Sequence, residues 1–365
     1  MSRIKARRNW TRWCLWLAAS TLLLMGSAAA FTLIIDPYQI YHPVLGGHPR
    51  FNIYLQRFAI PGLARTTSYE IALAGTSMIQ NIPNSAVERL CGGKAVNLCM
   101  AGASIHEEAA TLRLILHHPG AKIAILTMDY NSLSGGATEP VIGIDFAFPA
   151  YLYDDSILDK FPYFLSFDSI LTSYRTLYGP LAPGETLDAD WPWKFPASMK
   201  FEAAHAVEGI DPMAINRSFG MTDLRLESMK SAFAANMFPL LAANKEVKIH
   251  FVFPPYSILV WHDFAQRGQI PVYFAFKKWL IGEFERFANV DIVDYQDHAD
   301  IITNMSLYAD IYHFNEQITE QLIHSACTGD AVLTRNNFEA RTQALLHLVQ
   351  STDPAGIVQK ARASL

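Results

Sequence analysis

Between Trp13 and Ile35 the chain runs for 23 residues without a charge, and no other segment is so clearly marked. As a helix this run is about 34 Å long, enough to cross a hydrocarbon core of about 30 Å. Arg3, Lys5, Arg7, Arg8 and Arg12 precede it, and no base follows it closely. That asymmetry predicts a cytoplasmic basic segment over 1–12, a transmembrane helix over 13–35, and everything after Asp36 on the far side of the membrane. The competing reading is a cleaved signal peptide, with Ala28-Ala29-Ala30 as small residues for a peptidase. The apolar run continues past them through Phe31, Leu33, Ile34 and Ile35, longer than an ordinary signal core. Either outcome exports the rest of the chain.

The exported part is large enough for a sizeable core, since the 365 residues are 51% hydrophobic. Length alone allows one large α/β domain or two ordinary ones. With 34 acids against 29 bases, a net charge of -5, the chain lacks the concentrated positive charge that nucleic-acid phosphates demand, which excludes that class of partner. Cys14 falls in the apolar run, leaving Cys91, Cys99 and Cys327 outside. Cys91 and Cys99 either close a short disulfide loop or are small buried thiols, and an odd count leaves one free. No cysteine pair has zinc-type spacing, and His117-His118 do not share a helical face, so neither metal nor cofactor is indicated.

Beyond the apolar run, the prolines and glycines between Asp36 and Tyr54 predict a linker over 36–70 lying against the domain. The pattern then becomes regular. Short β-rich runs at Ile71 to Ala74, Ala95 to Leu98, Lys122 to Met128, Val247 to Phe253 and Val290 to Asp294 alternate with helical stretches such as Ile105 to His117 and Thr222 to Asn244. Such alternation predicts βαβ units, a parallel sheet and helices on both faces. The alternation lapses over about 135–216, where Phe146, Phe148, Tyr151, Tyr153, Trp191, Trp193 and Phe195 crowd together. We read this as an insertion over the strand ends, either a satellite cluster covering the sheet or a lid or surface for a partner or bilayer. A core domain over 71–330 is followed by a helical extension over 331–365, with helical spacing at Phe338, Leu345, Leu346 and Val349.

Chemistry concentrates in two places. Gly75-Thr76-Ser77 follows the first predicted strand and leads towards helical sequence, which sets Ser77 at the carboxyl edge of the sheet, where open α/β sheets bind ligands, near the positive end of a helix. Far downstream, Asp310-Ile311-Tyr312-His313 precedes a helix expected near Glu316. Two intervening residues let a loop carboxylate meet one ring nitrogen of the imidazole and fix its tautomer, while the other nitrogen takes a serine proton.

In this order the blocks resemble the SGNH (GDSL-like) hydrolases over roughly residues 70 to 326. Gly75-Thr76-Ser77 is similar to their Gly-Asp-Ser, with threonine for aspartate. Asn97-Leu98-Cys99-Met100-Ala101-Gly102 resembles their asparagine followed by glycine, and Asp310 with His313 resembles their terminal Asp-x-x-His. The resemblance implies a three-layer flavodoxin-like α/β fold with a parallel central sheet, a Ser77-His313-Asp310 triad, and an oxyanion hole from the Ser77 and Gly102 N–H groups. The third block departs from the family: Asp129 of Thr127-Met128-Asp129-Tyr130 stands where an asparagine would donate, and an ionised carboxylate cannot donate a hydrogen bond. Three explanations are open: Asn131 substitutes, Asp129 has another task, or the activity is weak.

The departure, with the membrane segment, is similar to a subset of anchored envelope proteins related to lipoteichoic acid D-alanylation and alginate O-acetylation. That likeness implies a single-pass protein of the bacterial inner membrane with its domain facing the periplasm. It also implies acyl transfer or ester cleavage on a glycopolymer, beside a membrane-bound O-acyltransferase or polysaccharide synthesis complex. A non-catalytic binding or assembly subunit is the rival reading, and a plain esterase a third. Pro255 and Tyr256, directly after a predicted strand, are expected either to line the pocket or to form a rigid strand-ending turn.

Overall fold

Five short runs of aliphatic and β-branched residues form the sheet: β1 (Ile71–Ala74), β2 (Ala95–Asn97), β3 (Ile123–Thr127), β4 (Lys248–Phe253) and β5 (Val290–Asp294). All pair in parallel, in the order β2-β1-β3-β4-β5. The computed structural model describes residues 2–134, 148–154, 156, 160–182, 184–211 and 223–364. Successive strand residues point to opposite faces, yet nearly all are buried, so both faces are covered. The helix Asn84–Cys91 packs with Glu316–Thr328, whereas Ile105–His117 packs with Leu226–Ala243, which in turn meets Ile270–Phe284. Right-handed crossovers require this division, because the chain steps from β1 outwards to β2 and then back across β1 to β3. The reversal makes a switch point between β1 and β3, and the crevice outside their carboxyl ends is where such sheets bind ligands.

Two segments differ from the sequence expectation. Within 36–70 the chain is not all linker, because Gln56–Thr66 is a helix that packs on Ile105–His117. Pro61 and Gly62 read as breakers, but each is accommodated. Pro61 cannot donate to the Arg57 carbonyl, and the Tyr153 hydroxyl does so instead at 3.0 Å. A Cβ on Gly62 would lie 1.8 Å from the Tyr38 carbonyl oxygen, so only glycine permits the approach. The disulfide is also different: Cys91 joins Cys327, with Cα atoms 5.4 Å apart, and Cys99 is free and buried. Between Cys91 and Cys99 the chain runs along β2 from its amino to its carboxyl end, which carries the two cysteines too far apart to bridge.

The N-terminal helix runs from Ser2 to Ile35, and its stretch Trp10–Ile35 is long and apolar enough to cross a membrane. Asp36 ends it with φ 48°, and its buried carboxylate accepts the N–H groups of Ile40 (3.0 Å), Tyr41 (2.6 Å) and His42 (2.9 Å) and the Tyr163 hydroxyl (2.5 Å). In the aromatic segment Leu152, Tyr163 and Trp193 are buried against the domain. Phe146, Asn216 and Thr222 lie outside the described residues. At the other terminus the helix Phe338–Ser351 packs on Ile258–Gln266.

Candidate active site

The exit from β1 is built around Gly75, whose φ of 105° is open to glycine and rare for other residues. A Cβ there would meet Thr127 Oγ1 at 2.0 Å; without it, Thr127 Oγ1 reaches in and accepts the Thr76 N–H at 2.7 Å. The ends of β1 and β3 are thereby tied. Thr76, Met78 and Gln80 are buried, while Ser77 between them is half-buried with its hydroxyl at the crevice. The helix towards which Ser77 leads starts at Asn84. The intervening carbonyls of Gln80 and Ile82 accept Asn97 Nδ2 at 2.8 and 3.3 Å, and Pro83 offers no N–H to extend the helix backwards.

Asp310 to His313 form a tight turn. Asp310 Oδ1 accepts the N–H groups of Tyr312 (2.7 Å) and His313 (2.8 Å), and Ala309 N–H donates to the His313 carbonyl at 2.8 Å. Asn315 then caps Glu316–Thr328. The turn aims the imidazole at β1: His313 Nδ1 lies 2.7 Å from Asp310 Oδ2, and His313 Nε2 lies 2.9 Å from Ser77 Oγ.

No protein-family model matches this chain, and no curated protein matches it.

The bonding itself assigns the protons. A carboxylate only accepts, so Nδ1 carries the hydrogen facing Asp310, and Nε2 is left to accept from the Ser77 hydroxyl. Burial pushes the Asp310 carboxyl up, but the hydrogen bond and charge of His313 and the two amides outweigh it and hold it below the usual range. Phe195 sets its edge against the His313 ring, centroids 5.5 Å apart, so the aromatic segment reaches the site. Such a relay can raise the nucleophilicity of a serine and hold the resulting imidazolium.

The loop after β2 is pinned from several sides. Met100 N–H donates to the Gly75 carbonyl and Ala101 N–H to Gln56 Oε1, both at 2.8 Å. Arg57, paired with Glu107 at 2.8 Å, reaches the carbonyls of Ala101 (3.3 Å) and Gly102 (3.4 Å). Trp193 Nε1 donates to the Asn97 carbonyl at 2.8 Å. Gly102 itself is exposed on this edge, with φ 60°. Gln56, Arg57, Thr127, Trp193 and Phe195 all support the site; Gln56 and Arg57 carry no local signal in the sequence, whereas Thr127 belongs to the third block and Trp193 and Phe195 to the aromatic segment.

Asp129 is occupied by donors. Its Oδ1 accepts the Tyr256 hydroxyl (2.7 Å) and the Asn131 N–H (3.0 Å), and its Oδ2 accepts the Thr76 hydroxyl (3.2 Å). It is a brace between the loops after β1, β3 and β4, and of the three explanations this matches another task for Asp129. Among the described residues no hydrogen bond joins the Asn131 side chain to Ser77 or His313. Pro255 and Tyr256 are buried and do not line the crevice. The prolines turn Tyr256 inward, where its oxygen also accepts the Tyr130 N–H at 3.1 Å, while the Pro255 carbonyl accepts the Tyr308 hydroxyl at 2.8 Å. Below Asp129 lies Glu108, whose two carboxyl oxygens are buried without a hydrogen-bond partner; Ser132 beside it already donates to the Asp129 carbonyl. Burial, then the charge of Asp129, pushes the Glu108 carboxyl well above its usual range. Among the described residues no cluster of three His, Cys, Asp or Glu side chains is placed to hold a metal ion.

Proposed function

We propose that this chain is a membrane-anchored serine acyl-transfer enzyme of the SGNH hydrolase type. It would act on acyl groups, O-acetyl above all, of a cell-envelope glycopolymer at the outer face of the bacterial inner membrane. The observation that carries the reading is the unbroken relay Ser77-His313-Asp310 at the switch point of the sheet.

In this reading Ser77 Oγ attacks the acyl carbonyl as His313 Nε2 takes its proton, and Asp310 stabilises the imidazolium. The Ser77 and Gly102 N–H groups hold the oxyanion. His313 returns the proton to the leaving oxygen, which leaves an acyl-serine. A sugar hydroxyl or water, deprotonated by His313, then releases the acyl group. Export is supported by the N-terminal helix and by the Cys91–Cys327 disulfide, a bond that persists in oxidising compartments. A membrane-bound O-acyltransferase is the partner this reading calls for.

One observation favours the rival, a non-catalytic assembly subunit: Asp129 is a charged brace where a donor would serve an oxyanion. Release of p-nitrophenol from p-nitrophenyl acetate separates the two. The full chain is expected to hydrolyse the ester and Ser77→Ala to lose the activity, whereas equal rates would leave the assembly reading.

A further inference from the structure

The helix Phe167–Tyr178 is turned inside out for a water-soluble domain. Phe167, Leu171, Tyr174 and Tyr178 fall on one narrow stripe at helical spacing. Three of them are strongly exposed: Phe167 at 76%, Tyr174 at 55% and Tyr178 at 71%. The residues it buries on the opposite face are Ser169, Ser173 and Thr176, with Ile170 and Leu177 half-buried beside them. A helix in water buries its aromatics and exposes its serines; small residues at helix contacts and large apolar residues outward are the arrangement of a helix in lipid.

The position of the helix names the solvent. Together with Phe161–Leu165 it packs on the N-terminal helix, which is covered by protein only from about Ala28 onward. The other end of that helix carries exposed Trp10, Trp13 and Trp16, residues that favour a membrane interface. Counting about 20 residues of span from there arrives at Leu33–Ile35. The helices beside those last turns are therefore level with the outer edge of the bilayer. The ends of the helix are tied to the domain: Ser166 accepts the Ser169 N–H, and buried Arg50 donates to the carbonyls of Arg175 and Gly179.

We propose that Phe167–Tyr178 is a second membrane contact. It lies along the outer leaflet of the bilayer that holds the N-terminal helix, with the Phe167, Leu171, Tyr174 and Tyr178 stripe in lipid. The stripe and the anchor together fix the height and tilt of the domain. The proposal depends on the N-terminal helix spanning the membrane, not on the chemistry of Ser77.

The test uses the full chain carrying Cys14→Ala, in phosphatidylcholine vesicles, with a spin label on Phe167→Cys, Tyr174→Cys or Tyr178→Cys in turn. Lys278→Cys, an exposed position on the domain, is the aqueous reference. All three stripe labels are expected to relax readily with oxygen and several-fold less than the reference with a water-soluble nickel chelate. Nickel access equal to that at position 278 overturns the proposal. Low access to both reagents also overturns it, because the stripe then faces protein, either a second copy or a partner.

Discussion

One sequence separation, 236 residues, divides both Ser77 from His313 and Cys91 from Cys327. Helix Asn84–Cys91 leaves the Ser77 loop and helix Glu316–Thr328 leaves the His313 turn; the two pack in register, and the disulfide joins their far ends. The bridge therefore fixes the spacing of the two chain segments that meet at the Ser77–His313 hydrogen bond.

Replacing both Cys91 and Cys327 by alanine should lower the unfolding free energy by about 2–5 kcal/mol. It should also reduce esterase activity more than a surface substitution of equal destabilisation does. Urea unfolding with and without reductant checks the first part; coincident curves would show that the bridge contributes nothing.

Asp310→Asn should lower the esterase rate by up to about 10⁴-fold, because the amide no longer fixes the tautomer of His313. Stability should respond more weakly. The folded Asp310 carboxyl titrates below its ordinary value, so its contribution is present above the ordinary aspartate range and is lost as pH falls through the depressed value. With the side chain 48% exposed, the contribution is below about 1 kcal/mol. Melting temperatures of wild type and Asp310→Asn should differ at neutral pH and converge as the pH drops below about 4.

Tyr256→Phe removes a buried hydrogen bond to a charged acceptor and leaves the Tyr130 N–H unpaired. A loss of about 1.5–3 kcal/mol is expected in urea unfolding. The effect on esterase rate should be smaller than that of Asp310→Asn. The reverse order would move Tyr256 from support into the reaction.

Glu108→Gln should stabilise the protein at neutral and alkaline pH. A raised folded value means that the protonated carboxyl fits the fold, so its stability is fully present below the ordinary glutamate value and lost as pH rises towards the folded one. Unfolding midpoints of the two proteins should diverge upward from about pH 4.5; parallel curves would mean that Glu108 ionises freely.

Where structure is written locally, it was legible. The five strands, the helix Ile105–His117 and the helix from Glu316 lie where the alternation of β-rich and helical runs puts them, and Ser77, Asp310 and His313 stand out by residue type, spacing and order. What escaped depends on partners distant in sequence. The helix through Pro61 exists because Tyr153 serves the freed Arg57 carbonyl. Cys91 chooses Cys327 because two helices pack together, and Asp129 and Tyr256 turn out to be a buried pair. None of these contacts leaves a periodicity or a motif in its own segment.

Treatment of the full-length protein with a fluorophosphonate, followed by intact-mass and peptide analysis, tests the central claim most directly. A single phosphonyl adduct on Ser77 is expected, absent from Ser77→Ala and formed far more slowly in His313→Ala. An unlabelled Ser77 in the folded protein, or labelling at an undiminished rate in His313→Ala, would contradict it.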